Sequence, residues 1–143
     1  MALISVTRLR LRSVRYLLPF YWHSLKSARQ ARRAPGFLGG QLAGERGKAY
    51  WTVTAWRDES AMRAYRNTDS HLKAMPKLLN WCDEASVVHW QQDGPELPDM
   101  NEALRRMVAE GRVSKVNHPS PAHAAKQIPA RQAPRPGFRL RPA

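Results

Sequence analysis

The stretch Tyr50–Trp90, YWTVTAWRDESAMRAYRNTDSHLKAMPKLLNWCDEASVVHW, decides the fold. Its opening alternates, with Tyr50, Thr52, Thr54 and Trp56 on one side and Trp51, Val53 and Ala55 on the other, as a strand does. Asp58 is a good N-cap for a helix through Ala61, Met62 and Tyr65. Asn67–Asp69 interrupts that helix. A second helical piece carries Leu72 and Met75, and Pro76 kinks or restarts it toward Leu78 and Leu79. From Ala85 to Gln91 alternation returns, with Ala85, Val87 and His89 opposite Ser86, Val88 and Trp90.

Working outward, Ala2–Leu11 alternates too. Leu3, Ser5, Thr7, Leu9 and Leu11 point one way, while Ile4, Val6, Arg8, Arg10 and Arg12 turn from apolar to basic, as if that end emerged into solvent. A helix entered near Leu18, with Pro19 at its first position, places Tyr21, Trp22, Leu25 and Ala28 on the buried stripe with Arg29 at its edge. Lys26, Gln30 and Arg33 face water, and Pro35-Gly36 stops the helix. Phe37–Arg46 and Ala49–Arg57 form a tight antiparallel hairpin. After a loop at Asp93–Pro98, a short amphipathic helix from Asp99 to Glu110 runs through Met100, Leu104, Met107 and Val108, and Gly111 ends it.

The order β-α-β-β-α-β predicts a ferredoxin-like α+β fold with a four-stranded antiparallel sheet. Two helices cover one face. Trp and Val side chains line the other as well, so a second copy packing sheet to sheet, a homodimeric α/β barrel, is the economical cover.

Composition divides the chain. Of the net +13, seven units fall in residues 111–143, which hold no acid, no Trp, Tyr or Cys and one Phe; residues 1–110 keep +6. We therefore expect a domain at 1–110 and a disordered Pro/Arg-rich basic tail at 111–143. The tail's charges are spread out and lack interleaved aromatics apart from Phe138, so nucleic acid is not the expected partner. Cys82 is the single cysteine; it excludes an internal disulfide and the cysteine-rich zinc sites, and suits a reducing cytoplasm. Met1–Leu25 is Arg-rich, but its apolar run is short, contains Pro19 and lacks a small-residue cleavage site, so it reads as mature domain. No stretch approaches a membrane span.

The run from Tyr50 to His71 resembles the third strand and second helix of the antibiotic-biosynthesis-monooxygenase-like superfamily, the dimeric α/β barrels. The likeness rests on a strand ending in Trp56, the acidic cap Asp58-Glu59, the aromatic Tyr65 nine residues after that Trp, and the polar break Asn67-Thr68-Asp69. Residues 71–90 look closer to an uncharacterised branch, distantly similar to the spheroidene-monooxygenase group. The resemblance implies the fold over Ile4–Trp90. It does not single out an activity, because the superfamily mixes monooxygenases, haem-degrading enzymes, isomerases and proteins without known activity. Haem-degrading members use an Asn, a Trp and a His where this chain has Thr7, Tyr65 and Met75, so that chemistry is not expected; His71 lies about one helical turn before the ligand position.

His71 is the candidate general acid/base, since an unperturbed imidazole titrates near pH 6.5. A local packing role at the start of a helix is the plainer alternative. Trp22, Tyr50, Trp56, Tyr65, His89 and Trp90 are the candidate lining of a pocket between sheet and helices for a flat ligand, though each also suits a core or an interface. No histidine spacing signals a metal, and neighbouring acids would disfavour a Cys82 thiolate. The expectation is a small-molecule-binding dimeric barrel, a monooxygenase of an apolar or aromatic substrate, with no cofactor predicted and haem left open. The alternative is a non-catalytic binding or scaffold protein whose basic tail contacts an acidic partner.

Overall fold

A computed structural model describes residues 1–130 and 132–143, with Asp69 and Ser70 described by backbone alone. Arg131 of the expected tail lies outside the described residues.

Strand β1 (Ala2–Leu11) is central, antiparallel to both β3 (Ala49–Trp56) and β4 (Cys82–Gln92). Strand β2 (Phe37–Glu45) completes the expected hairpin with β3. Helix α1 (Leu17–Arg33) links β1 to β2, and α2 (Glu59–Arg66) and α3 (Asp69–Trp81) link β3 to β4. Asp58 caps α2 as read from the sequence: its Oδ1 accepts the Ala61 N–H at 2.8 Å. Pro76 lies inside α3, which runs on to Trp81. Helix α4 (Met100–Glu110) begins at the cap Asp99 and ends at Gly111. The ferredoxin-like order β4-β1-β3-β2 is present.

The sheet has six strands, not four. β5 (Arg112–Val113) pairs with β4 and β6 (Arg135–Leu140) pairs with β2, giving β5-β4-β1-β3-β2-β6. Both added strands, and the four-residue helix α5 (Pro121–Ala124), come from the segment expected to be disordered. Composition misled because an edge strand needs backbone pairing on one side only and tolerates Pro136 there. A ladder irregularity between Gln41 and Ala43 accommodates it, and Gly137 is required beside it: a Cβ there would sit 2.9 Å from the Leu42 carbonyl oxygen.

Two cores flank the sheet. On one face Ile4, Val6, Trp51, Val53, Val88 and Trp90 pack beneath Met100, Ala103 and Met107 of α4, and Ala130 and Ile128 join them. This is the face expected to meet a second copy; the chain's own α4 and following segment cover it. At its end Arg8 is 5% exposed, not solvated as expected, because Glu45 and Glu84 each pair with it at 2.8 Å and Ser120 donates to Glu84. The opposite face carries α1, α2 and α3 over Leu3, Trp56 and Leu11.

Helix α1 is turned differently from the expected stripe. Phe20 and Ala31 are buried, whereas Tyr21, Trp22, Leu25 and Arg29 are exposed. Small Ser24 and Ser27 fall on the inward side, which lets the helix lie close and leaves apolar residues outward. Among the described residues, no helix is long and apolar enough to cross a membrane.

Candidate functional site

Beneath α1, an aromatic row runs from the sheet to the start of α3. The Phe37 and Trp56 rings lie 5.3 Å apart, Trp56 and Tyr65 5.0 Å, and Tyr65 and His71 4.7 Å. Trp56 is fully buried, its indole N–H donating to Thr54 at 2.9 Å. The Tyr65 hydroxyl donates to the Ser27 carbonyl at 3.1 Å, and burial raises its pKa.

Gln30 of α1 holds the break between α2 and α3. Its Nε2 donates to the carbonyls of Tyr65 (3.0 Å) and Thr68 (2.7 Å), and its Oε1 accepts the His71 N–H at 2.8 Å. The first N–H groups of a helix lack intrahelical acceptors, and Gln30 supplies one for His71 while its amide nitrogen ties the end of α2 to the start of α3. The His71 Nδ1 lies 3.2 Å from the Arg66 carbonyl, so Nδ1 carries the proton and Nε2 is the basic nitrogen. Burial lowers the His71 pKa, and the Arg66 charge adds to this, against the raising effect of that hydrogen bond. The imidazole is neutral.

The structure brings together three of the sequence candidates, Trp56, Tyr65 and His71. The others lie apart. Trp90 is on the α4-covered face with the Arg106 guanidinium 4.8 Å over its ring. Tyr50 packs on Phe20 at 5.2 Å. Trp22 is 61% exposed, with the Lys26 ammonium 5.5 Å from its ring. His89 is half-buried in β4, and its pKa is lowered by burial and by the charges of Arg112 and Arg66. Cys82 is buried, and burial first and Asp83 second push its thiol up to about 12, so it is not a nucleophile.

The concavity lies between helices α1 and α2, not between sheet and helices as expected. It is an open cleft of about 560 Å³. Lys26, Arg29 and Arg33 of α1 form one wall, and Arg57, Ser60 and Tyr65 stand across from them. Its lining also includes Ala34, Ala61 and Ala64. One end is shaped by Gly36, whose φ is +84° and whose absent Cβ would meet the Ala61 Cβ at 2.6 Å. There Arg57 donates its backbone N–H to the Gly36 carbonyl at 2.7 Å. Sequence reading missed this basic wall. Lys26 and Arg33 read as a solvated helix face and Arg29 as the edge of the buried stripe, and Arg57 joins them only through the fold.

Residues 23–77 match the antibiotic biosynthesis monooxygenase family model. No curated protein matches the sequence. Among solved structures, SnoaB, a cofactor-independent oxygenase from Streptomyces nogalater, is 21% identical at TM-score 0.54, covering 66% of this chain and 98% of its own. Rv0793 from Mycobacterium tuberculosis is 11% identical at TM-score 0.60, covering 66% and 97%. PA3566 from Pseudomonas aeruginosa is 13% identical at TM-score 0.56, covering 65% and 95%. At these identities the structures share the fold.

Proposed function

Taking residues 23–77 as antibiotic biosynthesis monooxygenase-like, we propose that the chain binds a flat apolar or aromatic small molecule in the α1–α2 cleft and oxygenates it without a cofactor. The observation that carries this reading is the cleft wall at Tyr65, behind which Trp56 and His71 extend the aromatic row. Without a cofactor the electrons that reduce dioxygen come from the substrate itself, after it loses a proton. The base in this proposal is His71, which stands behind Tyr65 and acts on ligand that reaches past that ring; its backbone N–H is held by Gln30 and its ring by the Arg66 carbonyl, with Nε2 unprotonated. The fold that the chain shares with SnoaB supports the reaction class.

A second reading is supported by the lining itself. Among the described residues that line the cleft there is no carboxylate and no imidazole, as suits a non-catalytic binding protein or a scaffold for an acidic partner. Oxygen uptake separates the two. With electron-rich polycyclic phenols as probes, catalysis predicts turnover that falls at least about 100-fold in His71→Gln while binding is retained. Binding without oxygen uptake establishes the non-catalytic reading.

Self-association remains part of the proposal on a different surface, the outward row of Leu18, Tyr21, Trp22 and Leu25 on α1. A free thiol at Cys82 accords with a reducing, cytoplasmic setting.

A further inference from the structure

We propose that the α1–α2 cleft is an anion site, and that its ligand carries a carboxylate or an ionised phenol set against Arg29, Arg33 and Arg57. The inference rests on the cleft being the ligand site of the proposed function, and it names the ligand's charge.

In a chain of net charge +13 most cations among the described residues stand without a carboxylate; what marks the cleft is that four cations line one concavity with no acid among its described lining. Arg8 and Arg10 meet Glu45, Glu84 and Asp83 at 2.8 Å, Arg63 meets Glu59 at 2.8 Å, and Arg106 meets Glu102 at 3.1 Å. Among the described residues, Lys26, Arg29 and Arg33 have no carboxylate within ion-pair distance. Arg57 has one, its neighbour Asp58, at 3.4 Å through Nε. Asp58 serves both groups, its Oδ1 accepting the Ala61 N–H at 2.8 Å and its Oδ2 facing Arg57, and both lower its pKa.

Like charges one helical turn apart repel, so Lys26, Arg29 and Arg33 are unfavourable neighbours in the free protein. Arg33 has a local reason, since a cation in the last turn of α1 complements the helix dipole. Lys26 also has the Trp22 ring at 5.5 Å and Arg57 has Asp58 at 3.4 Å, whereas Arg29 has neither kind of partner among the described residues. Their shared feature is the cleft, where Gly36 brings the start of α2 against the end of α1. A ligand anion relieves the repulsion, and guanidinium groups suit an oxyanion through paired N–H donors. The Ala34, Ala61 and Ala64 methyl groups and the Tyr65 edge in the same lining offer apolar surface to a ring.

This arrangement bears on the absence of an acid or imidazole from the cleft lining. A cation within about 4–6 Å lowers the pKa of an ionisable group by about 1–3 units. A phenol bound here therefore loses its proton more readily, and the wall that holds the anion does part of the work otherwise asked of a base.

The test uses the full chain and two flat probes of nearly equal shape, 2-naphthoate and 2-naphthamide, with binding followed by calorimetry and by the NMR shifts of cleft residues. We expect the carboxylate to bind about tenfold more tightly at low salt, a preference that shrinks as salt rises. Arg29→Gln/Arg33→Gln should abolish the preference without weakening the amide, and Arg29→Lys/Arg33→Lys should keep most of it. The lysine pair preserves the charge test if the glutamine pair folds poorly, and Arg57→Gln should give an intermediate loss. Equal binding of both probes at the cleft overturns the anion inference and leaves the proposed ligand site standing. Binding of neither probe overturns both. A carboxylate preference unchanged in every variant places the anion elsewhere and sinks the inference.

Discussion

The two faces of the sheet are covered by different means. The face under α4 is closed: Trp51, Ile4, Val6, Val53 and Met107 are all but inaccessible, and its end is sealed by the buried Arg8 ion pairs. The face under α1, α2 and α3 is buried at Leu3, Leu11 and Trp56, but the layer above it is looser, with a 560 Å³ cleft between two helices and a helix whose apolar side chains look outward. A close-packed face gives the fold its stability, whereas an imperfectly covered one leaves room for a ligand. Here the two tasks fall on opposite sides of one sheet.

Removing the segment that helps to close the first face should do most damage. Deletion of residues 111–143 takes away Ile128 and Ala130 and uncovers part of the Trp51–Val53 surface. At about 1.5–3 kcal/mol for each large side chain returned to water, the loss is roughly 5 kcal/mol. A urea melt and a native mass measurement check it, and self-association of the truncated chain is expected. An unchanged melt would erase the distinction between the faces.

Point substitutions sharpen the contrast. Met107→Ala, at a side chain with no exposure, should cost about 2–5 kcal/mol. Leu18→Ala on the outer side of α1, 81% exposed, should stay within about 0.5 kcal/mol in the monomer. Similar values for the two would mean that α1 is covered in solution, as the proposed self-association through this row requires.

The smallest effect is in pH. His71 and His89 lie on the helix-covered face, and their folded pKa values are below the 6.5 of a free imidazole. Their contribution to stability is therefore complete above that pH and is lost as pH falls from 6.5 through the lowered folded values. Glu84 on the other face is also depressed, burial being outweighed by its hydrogen bonds from Arg8 and Ser120 and by the charge of Arg8. Its contribution survives until pH falls below 4.5, while Asp83, raised by burial, partly offsets it. Denaturant melts from about pH 7 to pH 3 should show the histidine loss first, and His71→Gln should reduce that part, leaving the His89 share and the carboxylate part in place.

What could be read in advance follows from where the signal lies. The four central strands, the Asp58 and Asp99 caps and the Gly111 stop are local, written within a few residues each. The family likeness lay in the same local run. Arg8 was misread because its partners stand 37 and 76 residues away. The α1 stripe was misread because Tyr21, Trp22 and Leu25 outweigh Ser24 and Ser27 in apolar pattern, although the small residues allow the close approach. Strand β6 was missed because its pairing is made by backbone, and composition reports side chains. For the site, Tyr65 and His71 could be picked out, whereas the cationic wall needed two distant elements to meet.

Strands β5 and β6 lie on opposite edges of the sheet, so the segment joining them spans its breadth. One end pairs with β4, late in the chain, and the other with β2, about 90 residues earlier. During synthesis β6 emerges after every strand it must reach across, and it has nothing to pair with until the hairpin is in place. We expect its docking to come late in assembly, so that in a refolding time course the bond most slowly protected from a protease lies in this segment.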